Sequence, residues 1–225
     1  ITQKKLGARI YIIGGHLKDL KINFQGFETQ QAKSQPLNYP IDINGLTGCL
    51  SLINLKVENI SIKANQSTCE DAVNLVNVRG TVDEISIENS FQDGLDIDFS
   101  NVSIENINVK NSLNDCLDLS SGNYKLKNLF LSNCGDKALS VGEKSFLKTV
   151  KISVDNSNIG IASKDSSLSF IEEGNLKNTK TCISAYNKKQ EFNGGLLEVK
   201  KLNCKNYLVK NDIDKYSKIL VNNEF

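Results

Sequence analysis

Apolar and polar residues alternate along most of this chain in short runs of period 2, the signature of strands with one buried face. The runs also recur. The apolar-x-apolar cores Val73 to Leu75, Leu95 to Ile97, Leu117 to Leu119, Leu139 to Val141, Ile161 to Ser163 and Ile183 to Ala185 follow one another at steps of 22 residues. A fixed period of that length predicts a solenoid, each repeat burying its apolar face against the next.

A second strand per repeat is visible as ENISI, DEISI, ENINV, KNLFL and KTVKI, again alternating. Just beyond it Asn89, Asn111 and Asn133 form a column at the same 22-residue step. Stacked asparagines pass amide hydrogen bonds from coil to coil, so this column is assigned to the fold. Helical periodicity is absent. The chain is therefore expected to be all-β, a single right-handed parallel β-helix of about 22 residues per coil. Residues 1–48 are expected to form irregular first coils or an N-terminal cap, 49–201 the regular coils, and 202–225 a last coil or cap against edge pairing. Within the first of these, the polar stretch from Gln31 to Pro40 carries both prolines and reads as a loop.

Composition narrows the picture. The 225 residues suit one domain, no apolar run is long enough to span a bilayer, and the chain has neither Met nor a signal-peptide pattern at its start. That start is expected of a piece of a longer or processed protein, with other domains as neighbours. The net charge of +1 hides an asymmetry: Gln66 to Ser120 holds eleven acids against Arg79 and Lys110, whereas Lys177 to Lys218 holds ten Lys against four acids. Six Cys occur without CxxC pairs, which argues against zinc. Cys116 and Cys182 share a column three coils apart, too far to bridge at about 4.8 Å per coil, and buried free thiols are expected.

Candidate chemistry lies in the outward residues. In L-D-I-D-F the apolar Leu95, Ile97 and Phe99 are expected to face inward, which turns Asp96 and Asp98 outward, and Asp118 stands over Asp96 on the next coil. Asp71, Asp93 and Asp115 form another column, followed by Lys137. Carboxylates stacked at strand spacing repel. Such a stack needs water, a cation or a chemical use, so Asp93, Asp96, Asp98, Asp115 and Asp118 are candidates for calcium, a hard cation bound by oxygen ligands. Paired carboxylates flanking a glycosidic bond are the other use.

The segments F-Q-D-G-L-D-I at Phe91, N-D-C-L-D-L at Asn114, D-K-A-L-S-V-G at Asp136 and I-A-S-K at Ile161 resemble the motifs of polygalacturonase-type glycoside hydrolases, β-helix enzymes of the pectin-lyase-like superfamily. The resemblance covers about 75 residues. It implies catalytic roles for Asp93 and Asp115, in place of the family's acids, and for Lys164, in place of the lysine of its R-I-K tripeptide. Asn114 stands where the family has its proton donor, Lys137 where it has His and Ala162 where it has Arg. An amide has no titratable proton to give, so the acid must be sought at Asp93, Asp115 or Asp118. A Lys137 or Lys164 with lowered pKa would instead act as base on a uronate, making a lyase or epimerase of acidic glycans. Asp96, Asp98, Asn114, Glu143, Asp165 and Lys188 extend the polar strip as substrate-binding candidates along a linear polysaccharide.

His16, the one histidine, has no nucleophile near it in the sequence, and no phosphate-binding glycine motif or aromatic platform for nucleic acid is present. The expected protein is a polysaccharide-binding β-helix at the cell surface, in the periplasm or outside the cell, with a non-catalytic structural or adhesive domain as the competing reading.

Overall fold

The computed structural model describes residues 1–27, 42–43 and 45–222, so the loop expected from Gln31 to Pro40 lies outside the described residues. The elements among the described residues are all strands. They are β1 (Ile10–Ile13), β2 (His16–Lys18), β3 (Lys21–Gln25), β4 (Gly48–Ile53), β5 (Lys56–Ser67), β6 (Asp71–Val76), β7 (Arg79–Ser90) and β8 (Asp93–Asp98). Then come β9 (Asn101–Ser112), β10 (Leu117–Ser120), β11 (Asn123–Gly142), β12 (Phe146–Lys164), β13 (Leu168–Tyr186), β14 (Leu196–Ile213) and β15 (Lys218–Val221).

Every strand pairing is parallel. One stack runs β1-β4-β6-β8-β10 and a second runs from β2 and β3 through β5, β7 and β9. Both join at β11, from which single long strands turn the corner. The result is a parallel β-solenoid of about eight coils. Its register is the one the repeat predicts: Val73 pairs with Leu95, Leu95 with Leu117, Leu117 with Leu139, Leu139 with Ile161 and Ile161 with Ile183. These side chains are fully buried and belong to one continuous core from Ile22 to Val199.

The asparagine column holds as a ladder. Asn89 donates to Asn65 at 3.0 Å, Asn111 to Asn89 at 3.1 Å, Asn133 to Asn111 at 2.9 Å and Asn156 to Asn133 at 3.0 Å. Asn89, Asn111, Asn133 and Asn156 all have φ between 55° and 68°, the left-handed region that Asn tolerates better than other non-glycine residues. The ladder thus fixes the corner of each coil.

Three expectations fail. Phe99 is 62 % exposed at φ 51°, because the chain turns there and the alternation that points Leu95 and Ile97 inward ends at Asp98. In KTVKI, Val150 is exposed and Ile152 pairs with Leu129, since Phe146 follows Asn123 in register by 23 residues rather than 22 and shifts the strand by one. The cysteines are not free thiols. Cys49–Cys69, Cys116–Cys134 and Cys182–Cys204 are disulfides with Cα separations of 5.3, 5.4 and 6.4 Å. Stacking three coils apart does exclude Cys116–Cys182, but Cys49–Cys69 and Cys116–Cys134, 20 and 18 residues apart, fall short of a full coil, and the register that sets Cys204 beside Leu176 takes it out of the Cys182 column, so each pair meets off the column.

The two ends differ. At the start Ile1 to Gln3 lie along β3, with Thr2 bridging Gln25. At the other end β15 pairs with Leu196 to Val199, no strand among the described residues covers the outer edge of β14 beyond Val199, and Leu208 is 82 % exposed there.

Candidate functional site

The outward face of β6, β8 and β10, continued by the ends of β11 and β12, carries three polar columns. The first is Asp71, Asp93, Asp115 and Lys137, held in line by the Asp71–Asp93 pairing and by backbone bonds from Gly94 to Asp115 and from Cys116 to Lys137. The second is Asn74, Asp96, Asp118 and Ser140. The third is Asp98, Ser120 and Gly142, with Lys164 next.

Asp93 accepts from the Asn114 amide at 2.7 Å and from the Asp115 N–H at 2.8 Å through the same oxygen, Oδ1. Asn114, which cannot donate a titratable proton, therefore orients the acid of the neighbouring coil. Burial, then the Asp115 charge, pushes the Asp93 carboxyl up to about 7. Asp96 and Asp98 are spanned by the Asn74 amide, 3.2 Å from each. Burial raises the pKa of both, and for Asp96 the Asp71 and Asp98 charges add to it. Asp71 is only 2 % exposed and also lies well above the usual carboxylate range, chiefly through burial. Beneath them Tyr124 is fully buried, and its hydroxyl lies 2.8 Å from the Ile97 carbonyl and 2.7 Å from that of Ser120, tying β8 to β10.

The two lysines are buried, Lys137 7 % and Lys164 6 % exposed. Lys137 Nζ lies 3.1 and 3.2 Å from the Asp115 oxygens and also contacts Asp136. Burial opposes its charge, but Asp115 and Asp136 outweigh it and hold the ammonium above its ordinary pKa. The low-pKa base expected at Lys137 is thus overturned: two carboxylates keep it a cation. Asp115, 3 % exposed, is spent on that pair. The Lys164 chain crosses Gly142, where an added Cβ would sit 2.8 Å from its Cε, and its Nζ reaches to 3.8 Å from Asp118 Oδ2. Gly142 is what lets that lysine lie flat along the face.

The rest of the expected strip divides. Asp165 is fully buried at φ 55°, and its Oδ1 accepts the N–H groups of Lys188 and Lys189 at 2.7 and 2.8 Å. It holds a turn, and a ligand does not reach it. Lys188 is exposed on that turn, and its neighbour Lys189 pairs with Glu143. No three His, Cys, Asp or Glu side chains among the described residues converge into a metal-binding group. The calcium expected at Asp93, Asp96, Asp98, Asp115 and Asp118 finds no cage, since strand spacing spreads these carboxyls over columns and coils and Lys137 has taken Asp115.

Sequence reasoning missed Asn74, Asp136, Tyr124, Ser140 and Tyr186. Asn74 and Ser140 were legible as members of the Asp96 column. Tyr186 was not: it pairs with Lys164 on the far side, is half-buried, and has its hydroxyl pKa raised by burial.

Comparison with protein-family models, with curated proteins and with solved structures gives no match. No helix among the described residues is long and apolar enough to cross a membrane. Fold and face together define a parallel β-solenoid that carries a column-built acidic surface on its middle coils.

Proposed function

We propose that this protein binds a polysaccharide along the face of β6, β8 and β10 and hydrolyses it. The observation that carries this reading is the placement of Asp93 and Asp118 on adjacent coils in unlike surroundings. Asp93 is desolvated and holds its proton near neutral pH; Asp118 faces the Lys164 ammonium, with its other oxygen, Oδ1, unbonded. Carboxyls whose surroundings differ in this way divide the work of acid and base. Asp93 gives its proton to the leaving glycosidic oxygen as that C–O bond breaks. Water attacks the anomeric carbon and loses a proton to Asp118. The resemblance of the Asp93, Asp115 and Lys164 segments to polygalacturonase-type motifs of the pectin-lyase-like superfamily supports the same reading, with the acid moved off Asn114. A lyase or epimerase with Lys137 as its base is disfavoured because that lysine is held protonated, which leaves Lys164 as the base such a reaction would need. The three disulfides support an oxidising location: outside the cell, on its surface or in a periplasm.

One observation favours a second reading, a non-catalytic structural or adhesive β-helix. Asp115 and Lys137 neutralise each other out of solvent, with Asp136 at the exposed edge of the pair, as a scaffold requires. A panel of neutral, acidic and amino-sugar polysaccharides, assayed for new reducing ends and for unsaturated uronide absorbance, separates the two. Reducing ends without that absorbance, lost in Asp93→Asn, are expected. Absorbance would mean elimination and sink the hydrolytic mechanism; no product on any polymer would favour the scaffold.

A further inference from the structure

We propose that the wall formed by the starts of β11 to β14 and by β15, distinct from the carboxyl face, binds a second copy of this chain. Side chains alternate along that wall: Leu147, Ser169 and Leu197 are buried, and the residues on either side of each point outward. The outward residues stack in register. Phe146, Leu168 and Leu196 form one column, and Lys148, Phe170 and Glu198 the column beside it. Phe146, Phe170 and Leu196 are half-buried, Leu168 is 42 % exposed, and Val150, which lines the same groove, is 52 % exposed. The rings of Phe146 and Phe170 lie 5.6 Å apart. A contiguous apolar stripe turned to water marks an interaction surface.

The charges within the stripe select the partner. Lys148 lies one coil before Phe170 and Glu198 one coil after it. Lys148 Nζ sits 5.5 Å from the centre of the Phe146 ring, and neither Lys148 nor Glu198 forms an ion pair among the described residues. A two-fold axis lying in the interface, parallel to the strands at the level of Phe170, sets the coil before against the coil after. It brings Lys148 of each copy to Glu198 of the other, Phe146 to Leu196, and Leu168 and Phe170 each to its own copy. Glu172 also meets its copy, but each is already neutralised by Lys200 at 2.8 Å. A two-fold along the solenoid axis would set Lys148 against Lys148 and Glu198 against Glu198, which like-charge repulsion disfavours. The stripe is thus self-complementary, as an isologous dimer requires. About five coils at about 4.8 Å by about five residues at about 3.3 Å give about 400 Å² per copy in projection, the size of a reversible contact.

The test is sedimentation velocity of the intact chain over a concentration series from low micromolar to submillimolar. Wild type is compared with Lys148→Glu, Glu198→Lys, the double reversal and Phe170→Ser. Wild type is expected to pass from monomer to dimer as concentration rises. Either single reversal sets like charges face to face and is expected to weaken association about tenfold or more, and Phe170→Ser, which empties the centre of the contact, to weaken it as well. The double reversal is expected to regain the dimer. So is an equimolar mixture of the two single variants, because each then meets its opposite charge on the other chain; an unfolded variant could not restore it. A wild type that stays monomeric at every concentration would overturn the proposal. A dimer indifferent to both single reversals, or not regained by the double reversal and the mixture, would overturn this face and register. A monomer that instead binds a neutral oligosaccharide, and loses it in Phe170→Ser, would give the groove to a glycan and overturn the second copy as its occupant.

Discussion

Asp93→Asn tests the electrostatics of the face without touching its geometry. The Oδ1 that accepts from Asn114 and Asp115 remains an acceptor in an amide, and the new N–H₂ takes the place of the carboxylic O–H. Burial and the Asp115 charge raise the folded-state pKa from 3.8 to about 7. Because the folded state holds the proton more tightly than the unfolded chain, the contribution of Asp93 is fully present below pH 3.8 and is lost as pH rises through about 7. At roughly 1.4 kcal/mol per pH unit the difference has a ceiling of about 4 kcal/mol, and partial exposure brings it to about 2–4. The variant is therefore expected to match wild type in acid and to exceed it by that amount above neutral pH. For a chain of this size that is a rise in Tm of about 5–12 °C. Unfolding followed by far-ultraviolet circular dichroism across the pH range reads it directly. Two pH profiles that run parallel, or a variant less stable at high pH, would refute the assignment of a desolvated, proton-holding Asp93.

Other outcomes follow from the same structure. Lys137→Met strands Asp115 in the interior and is expected to cost about 3–5 kcal/mol in denaturant unfolding, most of it recovered when Asp115→Asn is added; a single-variant loss below one kcal/mol would be inconsistent with the pair described. Leu117→Ala empties a fully buried position and is expected to cost about 2–5 kcal/mol, read as a lowered denaturation midpoint at unchanged slope. Tyr124→Phe leaves the Ile97 and Ser120 carbonyls without their hydroxyl and is expected to cost about 1–3 kcal/mol. Replacing Cys116 and Cys134 together by Ser opens a loop of 18 residues, and about 3 kcal/mol of stability is expected to go with it.

The repeat made the solenoid legible because every coil solves the same problem. Leu95, Leu117, Leu139, Ile161 and Ile183 must share an interior, and only a 22-residue stacking lets them. The asparagine ladder was legible for a related reason, since a left-handed corner that recurs selects the residue that tolerates it. The same columns set Asp96, Asp98 and Asp118 on an outward face, with Asp93 and Asp115 in a column at the turn before it. What the chain could not express in one dimension was partnership. Column counting compares residues a whole number of coils apart, so it missed Cys116 meeting Cys134 across the inside of one coil. It put Lys137 next to Asp115 but could not weigh the Asp136 side chain that bends back to it, and so took a locked cation for a base. Asp165 looked like part of the polar strip until its carboxylate was found holding the turn at Lys188 and Lys189. Periodicity by itself determined the fold and the face, because both are properties of the repeat. Which charges are free and which are spent depends on side chains reaching between columns and coils, and only the tertiary structure decided that.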